Sequence, residues 1–126
     1  MTQRRSERLL IARALVNISI SISKLRFLLE VVSRRASIMR ERGFEDTARE
    51  LERQREMLDR VLAELEAISE RLKTIVSMGA IHADLVGINS SIKSIRNSIK
   101  DLQPEIAASL GEAISYIEEA IESSKS

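Results

Sequence analysis

The chain reads as an all-α protein on three observations. Apolar residues recur at alternating gaps of three and four along nearly its whole length, aromatics are limited to Phe27, Phe44 and Tyr116, and the only proline is Pro104. With 126 residues and 44% hydrophobic content, the sequence supports one domain, 1–126, with an aliphatic core. The predicted arrangement is a long antiparallel hairpin of helices one (about 3–42) and two (about 45–77), with two shorter helices, three (about 80–102) and four (about 104–123), packed against it.

The first helix carries two apolar stripes. One runs Ile11, Leu15, Ile18, Ile22, Leu25, Leu29, Val32, Ala36 and Met39, the seam of a helix packed along a partner. The other, Leu9, Val16, Ile20, Phe27, Val31 and Ile38, lies roughly half a turn away and contains the eleven-residue ladders Leu9/Ile20/Val31 and Val16/Phe27/Ile38. Arg13, Lys24 and Arg35 repeat at the same spacing beside it, with Arg34 close by, so this second face is apolar and positive. The alternation Ile18-Ser-Ile-Ser-Ile-Ser23 has the period of a strand. The helical seam nevertheless passes through it unbroken, and no turn residues flank it.

Gly43, after Arg40, Glu41 and Arg42, has the position of a glycine that ends a helix in the left-handed conformation, and Glu45 and Asp46 place negative charge at the next N-terminus. Helix two has a single apolar face, from Ala48 through Leu51, Leu58, Leu62, Leu65 and Leu72 to Val76, widened by Val61, Ile68 and Ile75. Joined by so short a turn, the two helices form a hairpin on the order of 50 Å long, with residues near 11 facing residues near 75. Met78, Gly79 and Ala80 interrupt helix two and form a candidate hinge, since glycine weakens a helix without forbidding it. Ile81, Leu85, Ile88, Ile92, Ile95, Ile99 and Leu102 then give helix three a narrow seam. Pro104 stops it and suits the first turn of helix four, whose apolar positions are Ile106, Leu110, Ala113, Ile114, Ile117 and Ile121.

A net charge of +1 conceals segregation: residues 1–42 carry +7, 43–78 carry −3, 79–103 carry +1 and 104–126 carry −4. A basic start and an acidic end suggest an anionic surface as partner for helix one, or docking of the tail onto it. The absence of cysteine removes disulfides and thiolate chemistry and fits a reducing compartment. No apolar run approaches the ~20 residues that cross a bilayer. His82 is the only histidine, and Asp84, two residues on, points to another side of a helix; Glu64, Glu66 and Glu70 have no histidine partner and read as a solvated face. No glycine loop for phosphate and no nucleophile motif is present, so neither enzyme activity nor a metal, cofactor or small-molecule substrate is expected. Nucleic acid is a poor partner for a chain with few stacking aromatics, a charge near zero and apolar residues set among its bases.

An apolar and positive helix face suits an anionic membrane surface better. Within the folded monomer, however, the second stripe is expected to be covered by helices three and four, its arginines meeting the acids of helix four. Lipid or neighbouring subunits then reach it only when those helices come off.

The ordered combination of Arg71-Leu-Lys-Thr-Ile75, Met78-Gly79, Leu85, Ile92, Ile95 and Pro104-Glu-Ile106, set behind a basic first helix, a glycine turn and an acidic second helix, resembles the ESCRT-III core domain. The closest likeness is to its archaeal cell-division branch, the CdvB-like proteins, and it covers most of the chain. The resemblance implies a non-enzymatic protein that switches between closed and open forms and polymerises on membranes into filaments that constrict or cut them. It implies a cytoplasmic location, peripheral on the inner face of the cell membrane, and partners that are further copies and related ESCRT-III-like subunits. Carried onto this chain, the membrane-binding candidates are Arg4, Arg5, Arg8, Arg13, Lys24, Arg34 and Arg35. Leu9, Val16, Ile20, Phe27, Val31 and Ile38 are shared between helix packing and polymer contacts, and Met78, Gly79 and Ala80 form the hinge.

Relatives commonly carry a C-terminal tail with a proline-containing motif that recruits an AAA-type disassembly ATPase, and some carry a winged-helix module. Here the sequence stops soon after Ile121 with neither, so this is read as a short paralogue or a trimmed core that reaches the ATPase through a longer relative. Lys73 stands where acidic residues are usual. Arginine outnumbers lysine fifteen to five, which is compatible with a thermophile. The alternative is a soluble helical-bundle adaptor or scaffold that acts through protein contacts, forms a discrete oligomer and ignores lipid.

Overall fold

The computed structural model describes residues 2–79 and 82–125, apart from the side chains of 2–5, 83, 124 and 125. Ala80 of the expected hinge and Ile81 of the third seam lie outside the described residues. The helices are α1 (Thr2–Glu41), α2 (Glu45–Met78), α3 (His82–Ile99) and α4 (Pro104–Lys125), and no strand occurs among the described residues. At 1.5 Å per residue α1 and α2 are about 60 and 51 Å long, while α3 and α4 reach only about half of that.

Gly43 closes the hairpin as its position predicts. Its φ is +86°, its N–H donates to the Arg40 carbonyl at 3.1 Å, and the Phe44 N–H donates to the Met39 carbonyl at 2.9 Å. This pair of bonds satisfies two carbonyls that the end of α1 otherwise leaves open. Glu45 and Asp46 occupy the first turn of α2, where the helix dipole favours negative charge.

The third helix ends earlier than its seam suggests. Leu102, expected within it, sits in a turn and is partly exposed, with the amides of Leu102 and Gln103 both donating to the Ile99 carbonyl, at 3.1 and 2.7 Å. Pro104 is the cause, because its ring disfavours helical geometry at the residue before it; α4 then starts at the proline, with Glu105 in its first turn.

Packing is organised by α1. Both α2 and α4 lie along it, α3 lies on α4, and α3 approaches α2 only slightly. The core is aliphatic: Ile11, Ile18, Leu25, Leu58, Leu65, Leu72, Leu85, Ile88, Ile92, Ile99, Leu110 and Ile117 are all fully buried. The α3–α4 turn lies beside Lys24, Phe27 and Leu28, so the hairpin beyond that level consists of two helices alone. Its buried positions there are few, chiefly Val32, Ala36, Ala48 and Leu58.

Ion pairs reinforce the hairpin in register. Arg26 and Arg40, fourteen residues apart on α1, meet Glu66 and Glu52, fourteen apart in the opposite sense on α2. Arg40 also reaches Glu45 at 3.5 Å, so one guanidinium spans the turn. The hydrogen bond from Arg40, and then its charge, hold the Glu52 carboxyl below its ordinary value of 4.5, and Glu52 raises Arg40 in return. A depressed carboxylate stabilises the folded state above its ordinary range and ceases to do so as pH falls through its folded value. Arg40→Gln is therefore expected to lower the melting temperature at neutral pH, and the gap from the parent should close as the pH falls below 4.5 and through the depressed value of Glu52. Circular-dichroism melts across that window check it; a gap that stays constant means that Arg40 acts by packing alone.

Candidate functional site

The second stripe of α1 is not covered. Leu9, Val16, Ile20, Phe27 and Ile38 are between 38% and 68% exposed, and Val31 is half-buried. The expectation that helices three and four cover this stripe is therefore corrected. The reason is geometric. Helix α4 docks beside the inner seam rather than behind it, on the side where Ala14 and Ser21 are buried and Leu10 and Leu28 are half-buried. At 100° per residue, the protected residues of α1 span an arc of about 160°, wide enough for α2 and α4 side by side, and the second stripe lies opposite the middle of that arc.

Sequence reading missed this docking side. Its signal is the run Ala14, Ser21 and Leu28 at heptad spacing, which is inconspicuous because two of the three are small. Ser21 is accommodated in the core by donating its hydroxyl to the Asn17 carbonyl at 3.0 Å. Ala107, Ala113 and Ala120 on α4 are likewise buried.

The predicted basic residues separate on the structure. Arg13, Lys24 and Arg35 flank the exposed stripe along one edge and Arg34 stands at the other; all four are exposed, and none forms an ion pair among the described residues. For these four, the expected pairing with the acids of α4 is not found among the described residues. Lysine 93 on α3, by contrast, pairs with Glu118 at 3.6 Å. Arg8 is exposed but lies about 110° round the helix from the stripe, so it does not belong to this face. The side chains of Arg4 and Arg5 lie outside the described residues.

The carboxylates set aside as a solvated face are exposed on α2. Glu66 pairs with Arg26 at 3.7 Å and Glu70 with Lys73 at 3.2 Å, and His82 opens α3 on the surface. No helix among the described residues is long and apolar enough to cross a membrane. What the arrangement presents instead is one continuous outer face, from Leu9 to Ile38, about 44 Å long, with an apolar centre, a basic edge formed by Arg13, Lys24 and Arg35, and Arg34 with the exposed Glu30 at the other edge.

The hinge candidates end α2. Met78 is its last residue and strongly exposed, and Gly79, at φ +100° and ψ 154°, occupies a region open essentially to glycine alone. No protein family, curated protein or solved structure matches this chain.

An added Cβ at Gly79 meets nothing within 4 Å, so the cost of a side chain there is purely conformational. Gly79→Ala should destabilise the four-helix arrangement by about 1–3 kcal/mol in chemical denaturation. An unchanged midpoint means that the junction does not need the glycine conformation.

Proposed function

We propose that this chain is a non-enzymatic membrane-remodelling protein of ESCRT-III type, which polymerises on anionic membranes to constrict or cut them, as in archaeal cell division or vesicle budding. The observation that carries the reading is the outer face of α1: apolar side chains left exposed by the fold, in line with unpaired bases, along the length of a stiff hairpin. The ordered motifs from Arg71 to Ile106 support it. So does the architecture of a long hairpin with two shorter helices on one half. Its partners in this reading are an anionic lipid surface, further copies of the chain and related subunits, with an AAA-type ATPase reached through a relative. Its place is peripheral, on the inner face of the cell membrane.

Charge decides the lipid preference. Each base near an anionic surface contributes about 1 kcal/mol, so Arg13, Lys24, Arg34 and Arg35 together favour anionic over neutral lipid by roughly 4 kcal/mol, about three decades in affinity. The apolar residues add binding that is indifferent to headgroup charge.

Co-sedimentation with anionic and with neutral liposomes, at low and high salt, tests the reading. Pelleting with anionic vesicles only, lost in salt and accompanied by filaments or tubes under the electron microscope, is expected. A discrete species that ignores both vesicles returns the chain to a helical adaptor. The variant Arg13→Glu, Lys24→Glu, Arg35→Glu should lose at least a hundredfold in anionic-vesicle affinity while melting as the parent does. Ile20→Asp with Phe27→Asp should abolish assembly and leave the fold intact, since both side chains are exposed; filaments formed unchanged by that double variant refute the role given to the stripe.

A further inference from the structure

We infer that the lipid-contacting face of α1 is complete in the closed four-helix arrangement, so that the protein lands on an anionic bilayer before α3 and α4 are released. The inference rests on the membrane reading above and adds an order of events to it.

The geometry supplies the argument. The surface that α4 covers and the surface that carries the stripe are different sides of α1. Where they meet near the α3–α4 turn, a shallow groove brings Lys24 and Phe27 near Gln103, Glu105 and Ile106. Glu105 is the one acid that lines this groove, where Lys24 also lies. Releasing α3 and α4 therefore leaves the stripe itself unchanged, since the α1 side chains it uncovers, Leu10 and Leu28 among them, lie beyond the basic edge. It exposes a different set of residues, among them Ile88, Ile92 and Ile99, which are wholly buried in the closed form. The bases on α3 and at its end, Arg96, Lys100 and Lys93, lie about 70° to 130° round the helix from the middle of that seam, and Lys93 is already paired with Glu118, so these side chains suit a protein neighbour rather than a headgroup layer.

The closed packing also contains a weak point away from the lipid face. The Asn17 side-chain amide nitrogen and the Asn89 side-chain carbonyl are shielded from solvent without a hydrogen-bond partner. Orphaned polar groups of this kind make the surrounding packing less stable than an apolar replacement of the same shape. Asn89, nearly fully buried on α3, offers a handle on closure that leaves α1 untouched.

The test is hydrogen exchange by mass spectrometry on the full chain, with phosphatidylglycerol-containing vesicles and with phosphatidylcholine vesicles, below the concentration at which polymer sediments. Binding to the anionic vesicles with unchanged protection over residues 85–99 and 106–117 is the expected result. Asn89→Leu should raise the melting temperature and keep vesicle affinity within about twofold of the parent. Binding accompanied by loss of protection in α3 and α4 overturns the order of events and leaves the membrane reading standing. So does a stabilised Asn89→Leu protein that no longer binds. Failure to bind either vesicle removes both proposals.

Discussion

The whole structure depends on how one helix divides its circumference. Helix α1 buries an arc broad enough to hold α2 and α4 side by side, and each of the other contacts is built on these two. Helix α2 is apolar on one face only, which α1 satisfies. Helix α4 rests on α1 and in turn supplies the surface on which α3 lies. A polar residue introduced at Ile18 or Leu25, both fully buried near the middle of that arc, would strike both partners at once, whereas the same change on α3 strikes chiefly α4. Cooperativity therefore runs outward from α1, and α3 is the last element to be secured.

That hierarchy has a lengthwise counterpart. Between about Leu10 and Leu28 of α1, four helices share a continuous aliphatic core; beyond Leu28, two helices share a single seam. Few apolar contacts and an exposed backbone mark the regions of a protein that open most readily. The Arg40 clasp on Glu45 and Glu52 lies in this thinner half, bridging the turn where packing is poorest. Exposed ion pairs contribute modestly and fade in salt, so this end of the hairpin remains the less stable one.

Helix existence and most helix boundaries were legible from punctuation alone. Gly43 and Pro104 act through backbone geometry that neighbours cannot override, and the inner seams of α1, α2 and α4 follow from regular apolar spacing. What was not legible concerns relations between helices. The docking side of α4 is marked by Ala14 and Ser21, which carry little hydrophobic signal because close approach needs small side chains rather than greasy ones. For the same reason the second stripe reads from the sequence as a surface for α3 and α4: apolar periodicity says that a face avoids water, and it is silent on whether a helix of the same chain or another surface provides the shelter. The early end of α3 has a local cause, the proline two residues past Leu102, whose reach into the preceding turn outweighed an apolar seam.

The two stripes of α1 also differ in period, and the difference bears on what the outer one is for. An inner seam repeating every seven residues drifts by about 20° per repeat round an ideal helix, so a partner that follows it coils left-handed with α1. The outer ladders and their bases repeat every eleven residues and drift by about 20° the other way. A helical partner tracking the outer stripe has to coil right-handed about α1, against the sense that the inner seam imposes on the same rod. A broad, deformable surface faces no such conflict, because it need only meet a face that stays within a narrow range of angles. From Leu9 to Val31 the outer ladder turns by only about 40°, and Arg13, Lys24 and Arg35 turn with it, so the apolar centre and its basic edge stay in step. The period that makes this face a poor match for a coiling helix is the one that makes it fit a nearly flat anionic layer.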